Sequence, residues 1–497
     1  MSSFQSQQDL TGASGQIREP QFYLERGYNT DIMPKRHEER RTSAFNFFTL
    51  WMGSVHNIPN YVMIGSFFLL GLSPVQIMLA TVISSLLIAS LLTINGVAGS
   101  KYGIPFAIHL RHTYGDIGAK LPGILRGVVA GIAWFGVQTY FGALAMMIII
   151  NRIWPEFLNI GNGTEILGIT IPVFIAFMVF WVFNFLIGFG GGDILNKFTA
   201  VLNPLIYVVF GGMMIWGINA AGGFRNIISY TAPNTDAATY PVIIGFIVIF
   251  SSFLSVWAAP GASVGDFTKD AKSTKAQIIG QFSGQFVAHL LFAFSSVAIL
   301  VGGAIKYGLT DFHILTIIEH FDSSFAVFFS IFVLLMTTIS TNATGNIIPA
   351  GYQLSALFPK KVSYRAGVII AAVASIIILP WKLVEGEGGI MVFLGLIGSI
   401  LGPVAGVMIV HFYFVSKKKI NLDALYFDLK NPQSSKLRIN YPAYIATILG
   451  LLITLLGNIP GLEVIRDTAW VLGFGSATII YFLLTMTNRE KYLYDDN

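Results

Sequence analysis

The chain has 497 residues, of which 54% are hydrophobic and 11% charged, with a mean hydropathy of +0.69. A soluble chain needs roughly a quarter of its positions charged to cover its surface, so a water-soluble globular protein is excluded; with no cysteine, so are a disulfide framework and a thiolate metal site. The net charge of +5 sits in short clusters between apolar runs and reports topology and contact with anionic lipid, not nucleic-acid binding.

Residues 1–42 are polar and lack the apolar core of a signal peptide, so they read as a soluble N-terminal tail. The apolar runs that follow are each long enough to cross a hydrocarbon core. Runs this continuous are helical, because barrel strands alternate. They fall at 45–71, 74–98, 122–151, 165–188, 194–217, 240–265, 277–304, 325–348, 363–380, 389–414, 440–457 and 467–485. The prediction is an all-α polytopic membrane protein with twelve transmembrane helices. Lysine and arginine orient it. With the N-terminus inside, only Arg152, Arg225, Lys306, Lys382 and Arg466 fall outside, while clusters such as Lys35, Arg36, Arg40 and Arg41, or Lys417 to Lys419, stay inside. A multi-pass protein of the plasma membrane with both termini cytoplasmic is expected.

Two spans carry a helix-breaking interruption. The first reads Trp51-Met-Gly-Ser-Val-His-Asn-Ile-Pro-Asn60, where Pro59 cannot donate to the Val55 carbonyl and clashes with it. The sixth reads Ser255-Val-Trp-Ala-Ala-Pro-Gly-Ala-Ser-Val-Gly265, where Pro260 does the same to Val256 and Gly261 and Gly265 relax the backbone. One kink alone shapes packing. Two kinks five spans apart match a 5+5 inverted repeat of the leucine-transporter-like kind, with the binding site at the breaks. The chain then divides into a tail (1–42), a first repeat (43–217), a second, inverted repeat (240–415), a cytoplasmic loop (416–439), two added helices (440–485) and a C-terminal tail (486–497).

Polar residues near the breaks could hold a ligand. Trp134 and Gln138 stand four apart on the third span and share a face; Trp257 precedes the sixth-span break. The eighth span carries a stripe of Thr337, Thr338, Ser340, Thr341, Asn342, Thr344 and Asn346. Two indoles can sandwich a flat ring, and amides can pair with its C=O and N–H edges. Thr337, Ser340 and Thr341, with carbonyls freed by the opened first span, also offer neutral oxygens to a monovalent cation. Ionisable groups within the spans are few: His56, His289 and His411, with Glu385 and Glu387 near a helix end, so proton coupling through a histidine stays open. Gly188-Phe-Gly-Gly-Gly-Asp193 lacks the strand and the Lys-Ser/Thr of a nucleotide loop and reads as a tight turn. Paired catalytic carboxylates and metal-ligand spacing are missing from the spans, which argues against an enzyme.

Six stretches, in this order and spacing, carry a resemblance over roughly residues 25–490. They are Trp51-Met-Gly-Ser-Val-His-Asn-Ile-Pro59, Gly99-Ser-Lys-Tyr-Gly-Ile-Pro-Phe106, Ala133-Trp-Phe-Gly-Val-Gln-Thr139, Ser340-Thr-Asn-Ala-Thr-Gly-Asn346, Pro380-Trp-Lys382 and Leu401-Gly-Pro-Val-Ala-Gly406. The chain resembles the nucleobase–cation symporter-1 family, and within it the bacterial allantoin permeases and hydantoin transporters, whose substrates are of the allantoin, hydantoin, uracil or cytosine class. That resemblance implies a 5+5 inverted repeat with two added C-terminal helices, alternating access and cation-coupled import of a small heterocycle. It implies stacking by Trp134 and Trp257, and polar contacts from Gln138, Asn346 and Asn57. It also implies a sodium site made of the carbonyls of Gly53, His56 and Thr337 and the hydroxyls of Ser340 and Thr341. The expected partners are the heterocycle and the bilayer, with no organic cofactor and a monomeric state. The alternatives are a proton-coupled permease and a non-transporting nutrient receptor on the same fold. The family pattern is departed from at Pro260-Gly261, at Ser263-Val-Gly-Asp-Phe267 and at His411-Phe-Tyr-Phe414.

Overall fold

The computed structural model describes residues 17–233, 240–358, 361–385 and 389–494, without the side chains of 192–201 and 203. The first 16 residues of the predicted tail, Glu387 and the last three residues lie outside these, as does the side chain of Asp193.

Among the described residues, seven helices are long and apolar enough to cross a membrane: Pro74–Tyr102, Lys120–Ile153, Ile171–Gly191, Thr274–Tyr307, Ser324–Leu357, Gly389–Val415 and Tyr441–Asn458. Five shorter apolar helices are Ile58–Leu70, Pro204–Ala220, Val242–Val256, Tyr364–Ile377 and Ala469–Thr485. Each predicted span coincides with one of these. Local chemistry sets their ends. The second span opens on a capping box, in which Ser73 accepts from the Gln76 amide and the Gln76 side chain accepts from the Ser73 amide. It closes at Gly103, in the left-handed region at φ 70°. The fourth span starts at Ile171 and not at 165, because Glu165–Ile166 and Ile169–Thr170 pair as a two-residue antiparallel ladder. The tight turn expected at 188–193 is centred on Gly191, whose φ of 72° separates the fourth helix from the fifth.

Both interrupted helices are present, and the first differs from expectation in detail. It comprises Ala44–Met52, a non-helical stretch, and Ile58–Phe67 with Pro59 in its first turn. The break therefore precedes the proline, which starts the second half-helix. The Val55 carbonyl, expected to be free, accepts from the Asn57 amide at 3.0 Å and from Asn60 Nδ2 at 2.7 Å. The sixth span runs Val242–Val256, bends at Trp257, continues as Ala258–Ala262 and bends again at Ser263.

The second and seventh helices pack along each other, with the first half-helix Ala44–Met52 lying on the seventh. That approach requires Gly280 and Gly284, where a Cβ would overlap the Ala44 and Phe48 carbonyls. The third helix packs instead on the fourth, eighth and ninth.

Both described chain ends lie on one face, called the terminal face below. Residues 17–42 are polar overall and are docked on that face. Tyr23 and Tyr28 are buried against Tyr426, Arg18 pairs with Asp423 at 2.7 Å, and Lys35 pairs with Asp270. Thr42 exchanges backbone hydrogen bonds with Asp270 and Lys272 (2.9 and 3.0 Å). On the same face the short helix Phe106–Tyr114 buries His109 and His112. Burial pushes the His109 imidazole from its usual 6.5 down to about 4 and holds His112 well below 6.5. Both are therefore neutral when folded, whereas the unfolded chain takes up protons as pH falls below 6.5. Thermal stability in detergent is expected to drop progressively between pH 6.5 and 4, and to drop less in His109→Gln; an identical pH profile in that variant would contradict this.

Candidate functional site

The candidate residues lie on the first, third, sixth and eighth helices, which contact one another. The eighth helix contains a π-helical turn, Ala343–Ile347, and such turns re-aim side chains at functional positions. Asn342, just before it, donates to the Phe135 carbonyl (3.1 Å) and to Asn184 Oδ1 (3.0 Å), locking the eighth helix to the third and fourth. Asn346 Nδ2 in turn donates to Asn342 Oδ1 at 2.9 Å, which fixes the orientation of its amide.

Trp134, Gln138 and Trp257 are almost wholly buried, yet Trp134 Nε1, Trp257 Nε1 and Gln138 Oε1 have no hydrogen-bond partner among the described residues. Leaving such an atom unpaired costs about 1–3 kcal/mol, so these two donors and one acceptor are open to a polar ligand. The Trp134 ring stands edge-on to Phe393 (centroids 4.8 Å, 79°), and that of Trp257 edge-on to Trp51 (5.9 Å) and His289 (5.2 Å). Asn57 is placed differently. Its Oδ1 accepts from the Asn60 amide (3.1 Å) and its Nδ2 faces the Ser54 and Val55 carbonyls (3.2 and 3.4 Å). It caps its own break, and reading a ligand would require giving up those bonds.

The proposed cation ligands come from the same junction. Thr341 Oγ1 lies 3.1 Å from the Ser54 carbonyl of the first span and 3.0 Å from the Thr337 carbonyl. Thr338 Oγ1 accepts from the Ile58 amide at 3.4 Å, a second tie between the two helices. Ser340 Oγ is buried without a partner among the described residues. No hydrogen bond reaches the Gly53 or His56 carbonyl among the described residues. Neutral hydroxyl and carbonyl oxygens suit a hard monovalent cation, so this donor set fits sodium. The His56 imidazole turns away from it: Nδ1 meets the Tyr61 hydroxyl at 3.0 Å, and the ring stacks on Phe210 at 4.5 Å. Among the described residues no cluster of His, Asp or Glu could hold a metal ion.

Beneath the junction a cavity of about 890 Å³ is lined by Met52, Tyr207, Phe267, Ile348 and Tyr352, with Asp31, Lys35 and Asp270 at its terminal-face end. Further along the third helix the Tyr140 hydroxyl donates to Glu385. Sequence reasoning missed Arg126, which is fully buried between the third, sixth and eighth helices. The signal was available, because a charge inside a span is a functional hypothesis by default. In the sequence it stands near the start of the run at 122–151, where a basic residue reads as part of the inner-side charge.

Residues 34–473 match the profile of a family described as permeases for cytosine/purines, uracil, thiamine and allantoin. The chain is 47% identical to a putative allantoin permease of Escherichia coli K12, over 95% of this chain and 97% of that one. It is 35% identical to the allantoin permease of Bacillus subtilis 168, over 94% and 95%. Among solved structures, Mhp1, a nucleobase-cation-symport-1 family transporter in a closed conformation with bromovinylhydantoin bound, matches at a TM-score of 0.76. That match has 22% identity and covers 95% of this chain and 98% of the other, which shows a shared fold.

Proposed function

The chain belongs to the family of permeases for cytosine/purines, uracil, thiamine and allantoin, and from that membership we propose that it imports allantoin or a closely related ureide ring by sodium symport. The protein is a secondary transporter and not an enzyme. The substrate reading is supported by the two curated bacterial relatives, both named for allantoin, and by the site's chemistry: two indoles, and amides that can both donate and accept, with no acidic side chain among the candidates. The observation that carries it is the set of orphaned polar atoms on Trp134, Gln138 and Trp257. A neutral ring with C=O and N–H edges can pair with them.

Sodium is supported by the all-oxygen cluster of Thr341, Ser340 and the first-span carbonyls, and by the engagement of the His56 imidazole elsewhere. The basic residues of the tail and of the loops on the terminal face support a plasma-membrane protein with both termini cytoplasmic. One chain carries the whole candidate site, which supports a functional monomer.

Counterflow in proteoliposomes tests the transport reading. Vesicles loaded with unlabelled allantoin are expected to accumulate external labelled allantoin, with hydantoin and uracil exchanging more slowly. No exchange of any of the three would leave a receptor on this fold. A second expectation concerns selectivity. Gln138→Leu and Asn346→Leu strand ligand groups at about 1–3 kcal/mol each, so they should reorder the affinities of the three ligands. A uniform loss across all three would argue against direct recognition by these amides.

A further inference from the structure

Arg126 lies in a π-helical stretch of the third helix, Leu125–Ala130, and no ion pair to it occurs among the described residues. A buried arginine kept for stability is normally met by a carboxylate. Here the buried Asp266 carboxylate acts on the guanidinium only through space, and the guanidinium's hydrogen bonds go to backbone carbonyls and one serine. Nε donates to the Ala259 carbonyl at 2.5 Å and lies 3.2 Å from Ser263 Oγ; Nη2 donates to the Gly345 carbonyl at 2.5 Å. Nη1 has no partner among the described residues and lies 3.2 Å from where a Cβ of Gly131 would stand.

These contacts are not scattered. Ala259 is two residues past Trp257, Gly345 immediately precedes Asn346, and Gly131 is one turn before Trp134. One planar group, rooted on the third helix with Trp134, therefore bonds the backbone beside two of the candidate ligand residues, on the sixth and eighth helices. Two of those carbonyls belong to deformed backbone, the short sixth-span segment Ala258–Ala262 and the π turn Ala343–Ile347. Nothing within those segments alone sets their separation. Arginine suits this task because its donors form a rigid fork, whereas lysine is a point charge able to reach one carbonyl at a time. The third and eighth helices pack together, while the sixth packs on the second and tenth, so the fork also crosses between two packed groups directly above the cavity on the terminal face.

The geometry points to Arg126 as the positioning residue of the substrate site: it holds the Trp257 and Asn346 backbones in register with Trp134, and it ties ligand occupancy to the opening of the cavity below. This rests on the site reading given above.

The chain has no cysteine, so Met52→Cys, in the wall of that cavity, is a single reporter thiol. In that background, Arg126→Gln and Arg126→Lys are assayed for equilibrium binding of labelled allantoin, and for maleimide labelling of the thiol without ligand and at saturating ligand. Arg126→Gln is expected to bind at least tenfold more weakly and to label at the same rate with or without ligand. Arg126→Lys, which keeps the charge and loses the fork, is expected to bind three- to tenfold more weakly with a reduced ligand response. Wild-type affinity and response in Arg126→Lys would overturn the proposal, and that variant decides if Arg126→Gln fails to assemble. Weaker binding with an intact labelling response at saturation would also overturn it, since the effect would then stop at the ligand. Trp134→Ala and Trp257→Ala, run alongside, test the site reading separately: wild-type affinity in both sinks that reading whatever Arg126 shows.

Discussion

Ser340→Ala combined with Thr341→Ala is expected to abolish the sodium dependence of substrate binding while the protein still inserts and folds. The Thr341 hydroxyl stands between the Ser54 carbonyl of the opened first helix and the Thr337 carbonyl of the eighth. Ser340 contributes a buried oxygen with no other partner. Removing both takes away the side-chain oxygens of the set, and backbone carbonyls alone leave a monovalent cation short of ligands. Binding of labelled allantoin, titrated with sodium at constant ionic strength, should rise with sodium in the wild type and stay flat in the double variant. His56→Gln should leave the sodium titration largely intact, because the imidazole is held by Tyr61 and Phe210 away from these oxygens. The opposite pattern, with binding indifferent to sodium and uptake lost only in the His56 variant, would replace sodium with a proton.

The aromatic pair should give the other large effect. Stacking on an indole contributes about 0.5–1.5 kcal/mol beyond the area it buries, and truncating a well-buried aromatic anchor typically costs about 2 kcal/mol or more in all. Trp134→Ala and Trp257→Ala are each expected to weaken substrate binding about tenfold or more, with expression and membrane insertion retained. Trp134→Phe should recover most of the loss, since a smaller ring still offers a face. Equal affinity for wild type and both alanine variants, measured by equilibrium binding, would mean that the indoles only pack against Phe393 and Trp51.

The spans were legible because lipid admits no compromise: backbone polar groups must be paired internally, so each crossing is a continuous apolar run that hydropathy exposes. The matching breaks in the first and sixth spans were legible because proline and glycine leave a local mark. The exact course of the first break was not, because it turns on Asn60 reaching back to the Val55 carbonyl and Asn57 capping the helix that follows. Side-chain competition for backbone groups has no periodic signature. The docking of residues 17–42 has no sequence mark for a related reason. The buried Tyr23, Tyr28 and Ile32 follow no helical or strand period, and their partner Tyr426 lies almost 400 residues away in sequence. The juxtaposition of Thr341 with the first span followed from the inverted repeat, whereas Arg126 was hidden by its place at the charged end of a span.

The account stands or falls on coupled uptake by the purified protein. In proteoliposomes with labelled allantoin outside and potassium on both sides, an inward sodium gradient is expected to drive accumulation above the external concentration. Removing the gradient with a sodium ionophore should collapse that accumulation to the equilibrium level. Accumulation driven equally well by an inward pH gradient in the complete absence of sodium, or no accumulation under any gradient despite counterflow, would contradict sodium symport through this site.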